Sequence, residues 1–149
     1  MKTKCALTIT VLLSIAVTRV FAEDPVLPAK ADQALIEENL LVGLNSTNEG
    51  LRYSCALMLG DLKSSQAVIP LMALLRQSDN FKLKTAAAWA LCNIGDARGT
   101  FAVKREAEFN SCCKTKLVCA WYYENKVKQG SFVFRDVDQA VLAEVKEPR

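Results

Sequence analysis

The sequence contains no histidine among its 149 residues. Histidine is the usual general base beside a serine or cysteine nucleophile, and it is a common ligand of zinc. Its absence excludes Ser-His-Asp and Cys-His nucleophile systems and every metal site that histidine ligates. The sequence also lacks a glycine-rich phosphate loop, a carboxylate pair at catalytic spacing and a CxxC metal motif. We therefore predict no enzyme activity, no catalytic residues, no cofactor and no metal site.

The first 22 residues have the organisation of a secretory signal peptide. Two lysines precede an apolar run at residues 5–17, and residues 20–22 (VFA) form a small-residue cleavage signal. Arg19 leaves the apolar run too short for a membrane span of about 20 residues. We therefore predict export to the periplasm or the extracellular space, a mature chain that begins at Glu23, and no stable membrane span after cleavage.

The excess of positive charge belongs to this targeting segment. The full sequence has a net charge of +3, from 19 basic and 16 acidic residues. Three of the basic residues and none of the acidic ones lie in residues 1–22, so the mature chain is neutral. A neutral exported chain has no electrostatic footprint for nucleic acid, which we therefore exclude as a partner.

The strongest pattern in the mature chain is a repeated helical stretch. Residues 83–94 (LKTAAAWALCNI) place apolar or small side chains on one helical face at spacings of three and four. Residues 51–62 (LRYSCALMLGDL) match them position by position at an offset of 32 residues (83 against 51), and residues 111–127 match them more weakly. A fixed period of this length is typical of stacked helix pairs.

The segments between these stretches complete three helix pairs. The predicted first helices span residues 33–44, 66–77 and 97–109, and the second helices span residues 49–62, 83–94 and 111–127. Asp32 and Ser111 are the predicted caps of the first and last of these helices. Pro70 lies inside its helix and is expected to kink it.

The C-terminal part of the chain departs from the repeat. Glu124 stands where the preceding copies have an apolar residue, so we expect it to lie uncovered on a terminal repeat. A final short helix is predicted from Asp136 or Asp138 to Val145. The predicted organisation is a signal peptide at 1–22, an extended leader at 23–32, a repeat domain at 33–128 and a C-terminal capping segment at 129–149.

Two stretches resemble the HEAT-like repeat. Residues 59–71 contain LGDL and AVIPL, and residues 87–98 contain AAWAL and IGDAR. The resemblance extends over about residues 33–127. It implies an all-α fold, a short right-handed α-solenoid of about three antiparallel helix pairs plus a trailing C-terminal helix, with the second helices lining the concave side.

The resemblance leaves three functions open. Short HEAT-like repeats occur in lyases that attach bilin chromophores, in DNA-repair glycosylases and in many protein-binding scaffolds. Export argues against the first two, because their substrates are cytoplasmic. The favoured hypothesis is therefore an exported scaffold that binds a protein or peptide partner.

Four side chains are predicted to form the binding surface of this scaffold. They lie on the second helices, opposite the apolar stripe, and they are Tyr53, Leu57, Trp89 and Tyr122. An exposed aromatic strip with few charges is a common form of binding surface. The alternative is that loops or the C-terminal segment cover this face.

The cysteines suggest a second function, a thiol-based redox or metal-handling envelope protein. The mature chain contains five, an odd number that leaves at least one unpaired. Cys112 and Cys113 begin a predicted helix, where the thiolate is favoured. Cys92 and Cys119 share a face of adjacent second helices but lie beyond the usual reach of a disulfide. We therefore predict mostly free thiols, with Cys55 inert in the core.

Overall fold

The computed structural model of the protein describes residues 30–134 and 142–143, and within these residues the regular secondary structure is entirely helical. The signal peptide and most of the leader lie outside the described residues, as does most of the predicted final helix, of which residues 142–143 are helical. The six helices are α1 (Lys30–Leu44), α2 (Glu49–Asp61), α3 (Val68–Gln77), α4 (Phe81–Ile94), α5 (Ala97–Phe109) and α6 (Cys113–Lys126).

Local capping explains where three of the six helices begin. Three of them start after a polar side chain that accepts a hydrogen bond from the first turn. Asn48 accepts from the N–H groups of Gly50 and Leu51, Asn80 accepts from Lys82, and Asp96 accepts from Arg98. Helix α4 ends at Gly95, whose φ of 78° is in the left-handed region that glycine favours.

The helices pack in two layers of first and second helices. The second helices α2, α4 and α6 follow one another, since α4 contacts both α2 and α6. The first helices α3 and α5 contact each other and pair with α4 and α6 respectively. This arrangement confirms the predicted all-α solenoid of helix pairs. Helix α4 is at its centre and buries Leu83, Ala90, Leu91 and all three consecutive alanines at 86–88.

Four helices, α1, α3, α4 and α6, begin two or three residues away from the predicted starts, and the caps of α1 and α6 differ as a result. Helix α1 starts at Lys30, so Asp32 lies in its first turn rather than at its cap, where a carboxylate also favours the helix dipole. Helix α6 starts at Cys113, and its cap is Cys112 instead of Ser111. Asn110 accepts a hydrogen bond of 2.8 Å from the N–H of Cys112 and holds the chain in this position.

The predicted kink at Pro70 is also wrong. Helix α3 starts at Val68, which makes Pro70 its third residue. The first N–H groups of a helix have no partner within the helix, so a proline there removes no hydrogen bond. The hydroxyl of Ser64 accepts a hydrogen bond from the N–H of Ala67, the residue that immediately precedes α3.

Glu124 is not left uncovered at the end of the repeat, as the sequence suggested. Its carboxylate accepts hydrogen bonds from the N–H groups of Gly130, Ser131 and Phe132. These hydrogen bonds lower the pKa of Glu124, and the bond from Gly130 has the largest effect. The ring of Phe132 then packs edge-on against Tyr123, with centroids 5.9 Å apart. The polar residue therefore fastens the segment that follows α6.

The burial of α4 can be tested by overpacking it. We expect Ala87→Leu to lower the free energy of unfolding by about 1–3 kcal/mol, because Ala87 is fully buried and the added carbons have no space. Denaturation followed by circular dichroism measures the change. Ala97→Leu, at the exposed start of α5, is the control and should be nearly neutral. Equal stability of both variants would contradict the packing described for α4.

Candidate binding surface on the second helices

Three of the four side chains predicted to line the concave face lie half-buried on second helices. Tyr53 and Leu57 are on α2 and Trp89 is on α4, and each packs in part against the core. Tyr122 on α6 is only 1% exposed, and its ring packs edge-on against Trp121. The prediction that Tyr122 belongs to an exposed strip is therefore wrong. We call the remaining three side chains, Tyr53, Leu57 and Trp89, the second-helix surface.

The lateral neighbours of α4 leave little of its outer face open to solvent. A helix in the middle of a stack is covered on both sides as well as on its core side, and α4 has α2 and α6 beside it. Thr85 and Cys92, which share the helical face of Trp89, are consequently buried. The hydroxyl of Thr85 donates to the carbonyl of Phe81 and so satisfies its polar group. Only a narrow line of α4 remains open to solvent.

Trp89 is held in place by residues from the two neighbouring second helices, α2 and α6. It lies so close to Gly60 on α2 that a Cβ at Gly60 would come within 2.8 Å of the Trp89 ring. From α6, the ammonium group of Lys126 lies 5.3 Å from the centroid of the Trp89 ring, a cation–π contact. The indole is thus fixed between α2 and α6.

A chain of hydrogen bonds runs beside this indole. The side-chain amide of Asn93 donates to the carbonyl of Gly60 over 3.0 Å, and its oxygen accepts from the ammonium group of Lys126 over 3.3 Å. Sequence reasoning missed Asn93 and Lys126, because each acquires its partner only when separate helices meet.

A second surface feature lies at the C-terminal end of the solenoid. A groove of about 380 Å³ runs between α5, α6 and residues 132–134. Its walls include Leu117, Phe134 and the aliphatic stem of Lys116, together with Val133, which is 95% exposed. We call it the C-terminal groove. It is an open apolar surface with a basic edge.

The comparison with known protein families agrees with this architecture. Residues 30–103, from the start of α1 into α5, match the family model for HEAT repeats. This chain contains HEAT repeats. The resemblance seen in the sequence is thereby confirmed. No curated protein matches the chain. HEAT repeats generally form helical scaffolds, and solenoids of this kind commonly bind partners on their extended surfaces.

The thiols of this protein fall into two groups. All five cysteines of the described chain are free; Cys55, Cys92 and Cys119 are buried, whereas Cys112 and Cys113 are exposed. Burial raises the pKa of Cys92 to about 12, although the nearby charge of Lys126 opposes the effect. Burial also raises the pKa of Cys119, as does its proximity to Cys92. The two buried thiols of adjacent second helices are therefore poor nucleophiles.

Cys112 has the opposite environment. It is the exposed cap of α6, and the N–H and hydroxyl of Thr115 lower its pKa. The N–H of Lys114 and the charge of Lys84, which comes from α4, act in the same direction. Cys113 is exposed beside it and lines the C-terminal groove. Of the four thiols singled out in the sequence, the structure gives Cys112 the most favourable setting for a thiolate.

Two further findings concern metal binding and membrane spans. In the described part of the chain, no group of three or more cysteine or carboxylate side chains could hold a metal ion. No helix within the described ranges is long and apolar enough to cross a membrane.

From the two groups of thiols we predict the order in which the cysteines are labelled. We expect Cys112 to react first with iodoacetamide, and its rate to rise at a lower pH than that of an ordinary thiol, because its pKa is depressed. Peptide mapping after brief alkylation measures both. Lys84→Gln should move the pH profile upward, whereas Lys82→Gln, on the same helix and exposed, should leave it in place. Labelling of Cys92 or Cys119 before Cys112 would contradict the assignment.

Proposed function

We propose that this protein is an exported binding module that holds a protein or peptide against its second-helix surface. The observation that supports the proposal is the setting of Trp89. Its ring is only half-buried, yet Gly60 and Lys126 pack against it from two sides. Tryptophan is enriched among binding hot spots, and a side chain that is already ordered loses little entropy on association.

The neighbours of Trp89 suggest what the partner offers. Leu57 occupies on α2 the repeat position that Trp89 occupies on α4, and Tyr53 lies one turn before it. These three side chains form an apolar strip that suits apolar side chains of a partner. Lys126 and the amide of Asn93 stand at its edge, where they can donate to backbone carbonyl groups. The strip offers positioning and desolvation, and we assign no catalytic step to it.

The compartment belongs to the same proposal. The charged start, short apolar run and cleavage signal of residues 1–22 support export, and the mature chain that would result is neutral. A neutral domain favours protein or peptide partners over nucleic acid.

A thiol function is the second candidate, and the environment of Cys112 favours it. The cap position of this residue and its depressed pKa are those of a reactive thiol. A thiol function requires Cys112 to be labelled first in the alkylation experiment above, whereas a binding scaffold does not. The redox role of Cys92 and Cys119 that the sequence suggested has less support, since both are buried with raised pKa values.

The binding proposal can be tested at Trp89. We expect Trp89→Ala to weaken partner capture from the native envelope fraction by about tenfold or more. Because Trp89 is only half-buried, the substitution should lower the free energy of unfolding by less than the roughly 3–5 kcal/mol of a full core truncation. Quantitative affinity capture and a thermal melt measure the two effects.

Phe101→Ala is the matched control for Trp89→Ala. Phe101 is an exposed aromatic residue on α5, away from the second helices, and its loss should leave capture unchanged. A folded Trp89→Ala variant that captures its partner as well as the wild type would refute the proposed surface.

Export can be tested by intact-mass measurement of the natively expressed protein. We expect a chain that begins at Glu23, because residues 20–22 have the small-residue pattern of a signal cleavage site. Val20→Arg, which disrupts this pattern, should cause the precursor to accumulate. Recovery of uncleaved wild-type protein from the cytosol would contradict export.

A further inference from the structure

A cavity with polar walls lies beside the turns that lead into α2 and α4. Its walls come from the end of α1, the first turn of α2, one face of α3 and the turn at residues 78–80. The volume is about 440 Å³, within the roughly 300–1,000 Å³ of small-molecule sites. We call it the polar cavity. Tyr53, Leu57 and Trp89 are not among its lining residues, so it is separate from the second-helix surface.

Arg52, in the first turn of α2, lines this cavity without a protein partner for its charge. Among the residues that the structure describes, no carboxylate lies within ion-pair distance of its guanidinium group. Its Nε is buried without a hydrogen-bond partner, whereas its two terminal nitrogens reach solvent. These two nitrogens form a planar pair of donors that matches the two oxygens of a carboxylate. The cavity therefore contains an available site for a carboxylate.

The carboxylate closest to Arg52 in the sequence is engaged elsewhere. Glu49 lies one turn before Arg52 and also lines the cavity, but its Oε2 accepts a hydrogen bond of 2.7 Å from the side-chain amide of Asn80. Asn80 caps α4, so this bond joins the start of α2 to the start of α4. Glu49 thus links two second helices and leaves the guanidinium of Arg52 to a ligand.

The other walls provide an acceptor and an apolar surface. Asp79, in the turn before α4, is exposed and lines the cavity, where it can accept from an ammonium or N–H group. Pro70 and Ala73 of α3 line it as well and offer contact to an apolar side chain. A phosphate, with about two negative charges, fits less well, because Asp79 and Glu49 would repel it.

We propose that the polar cavity binds an amino carboxylate, which is a carboxylate with a nitrogen donor on the adjacent carbon. This chemistry occurs in a free α-amino acid and at the C-terminal residue of a peptide. Arg52 binds the carboxylate, Asp79 accepts from the nitrogen, and an apolar side chain of the ligand contacts Pro70 and Ala73. The proposal is independent of the second-helix surface and of its partner.

Titration calorimetry of the purified protein with L-leucine provides the first test. We expect one site with a dissociation constant below about 1 mM. L-Leucinamide, which lacks the carboxylate, should bind about tenfold or more weakly, because it leaves Arg52 without a partner. Equal binding of L-leucine and L-leucinamide would overturn the proposal.

N-Acetyl-L-leucine distinguishes the two sources of the ligand. It keeps the carboxylate and replaces the ammonium group by an amide N–H, as at the C-terminus of a peptide. Binding about tenfold weaker than that of L-leucine identifies a free amino acid as the ligand, whereas equal or tighter binding identifies a peptide C-terminus. Absence of binding by both compounds at up to about 10 mM would overturn the proposal, as would tighter binding of inorganic phosphate.

Two variants locate the site, and thermal melts show that they fold. Arg52→Gln removes the guanidinium group and should weaken binding of L-leucine by about tenfold or more. Ala73→Phe leaves Arg52 intact but fills the cavity from α3, and it should weaken binding to a similar extent.

Arg76→Gln is the matched control. Arg76 is an exposed arginine on α3 that does not line the cavity, so its loss changes the net charge equally and should leave binding unchanged. Undiminished binding of L-leucine by a folded Arg52→Gln or Ala73→Phe variant would refute the site.

Discussion

The close approach of α2 to α4 is the contact on which the rest of the structure depends. Gly60 lies against the backbone of Ala90 with no space for a side chain between them. This contact allows the second helices to stack closely and buries the alanines of α4 from every side. It also places the carbonyl of Gly60 within reach of Asn93, which links α2 to α4. Small residues thus act here by bringing backbones together rather than by filling a core.

The surfaces of the protein follow from this tight stack. Because α4 is covered on both sides, its solvent-exposed part is reduced to Trp89 and a few neighbours, and Lys126 lies over the Trp89 ring. Most other exposed large apolar side chains lie away from the centre of the stack, as Met58 and Val133 do. A short solenoid has few repeats between its ends, so residues near its ends contribute a large share of its exposed apolar surface.

The cysteines show how position decides chemistry. Cys92 and Cys112 are the same residue type, yet burial raises the pKa of one thiol and the N–H and hydroxyl of Thr115 lower the pKa of the other. The charge of Lys84 reaches Cys112 from a different helix. Glu124 is a similar case, since its role depends on the backbone N–H groups of the segment that follows α6. In each case the environment of the side chain, and not the residue type, sets the direction in which its pKa shifts.

The sequence by itself determined the fold class, the pairing of helices and most of their boundaries to within two residues. These features depend on local capping groups such as Asn48 and Asp96 and on a periodicity that a single helix displays. Only the tertiary structure decided which side chains are open. A position opposite an apolar stripe is exposed in an isolated helix, whereas in the folded chain Tyr122 is buried and Trp89 is half-buried. The contact of Trp89 with Lys126 likewise required α4 and α6 to meet, because contacts between distant segments leave no periodic trace in the sequence.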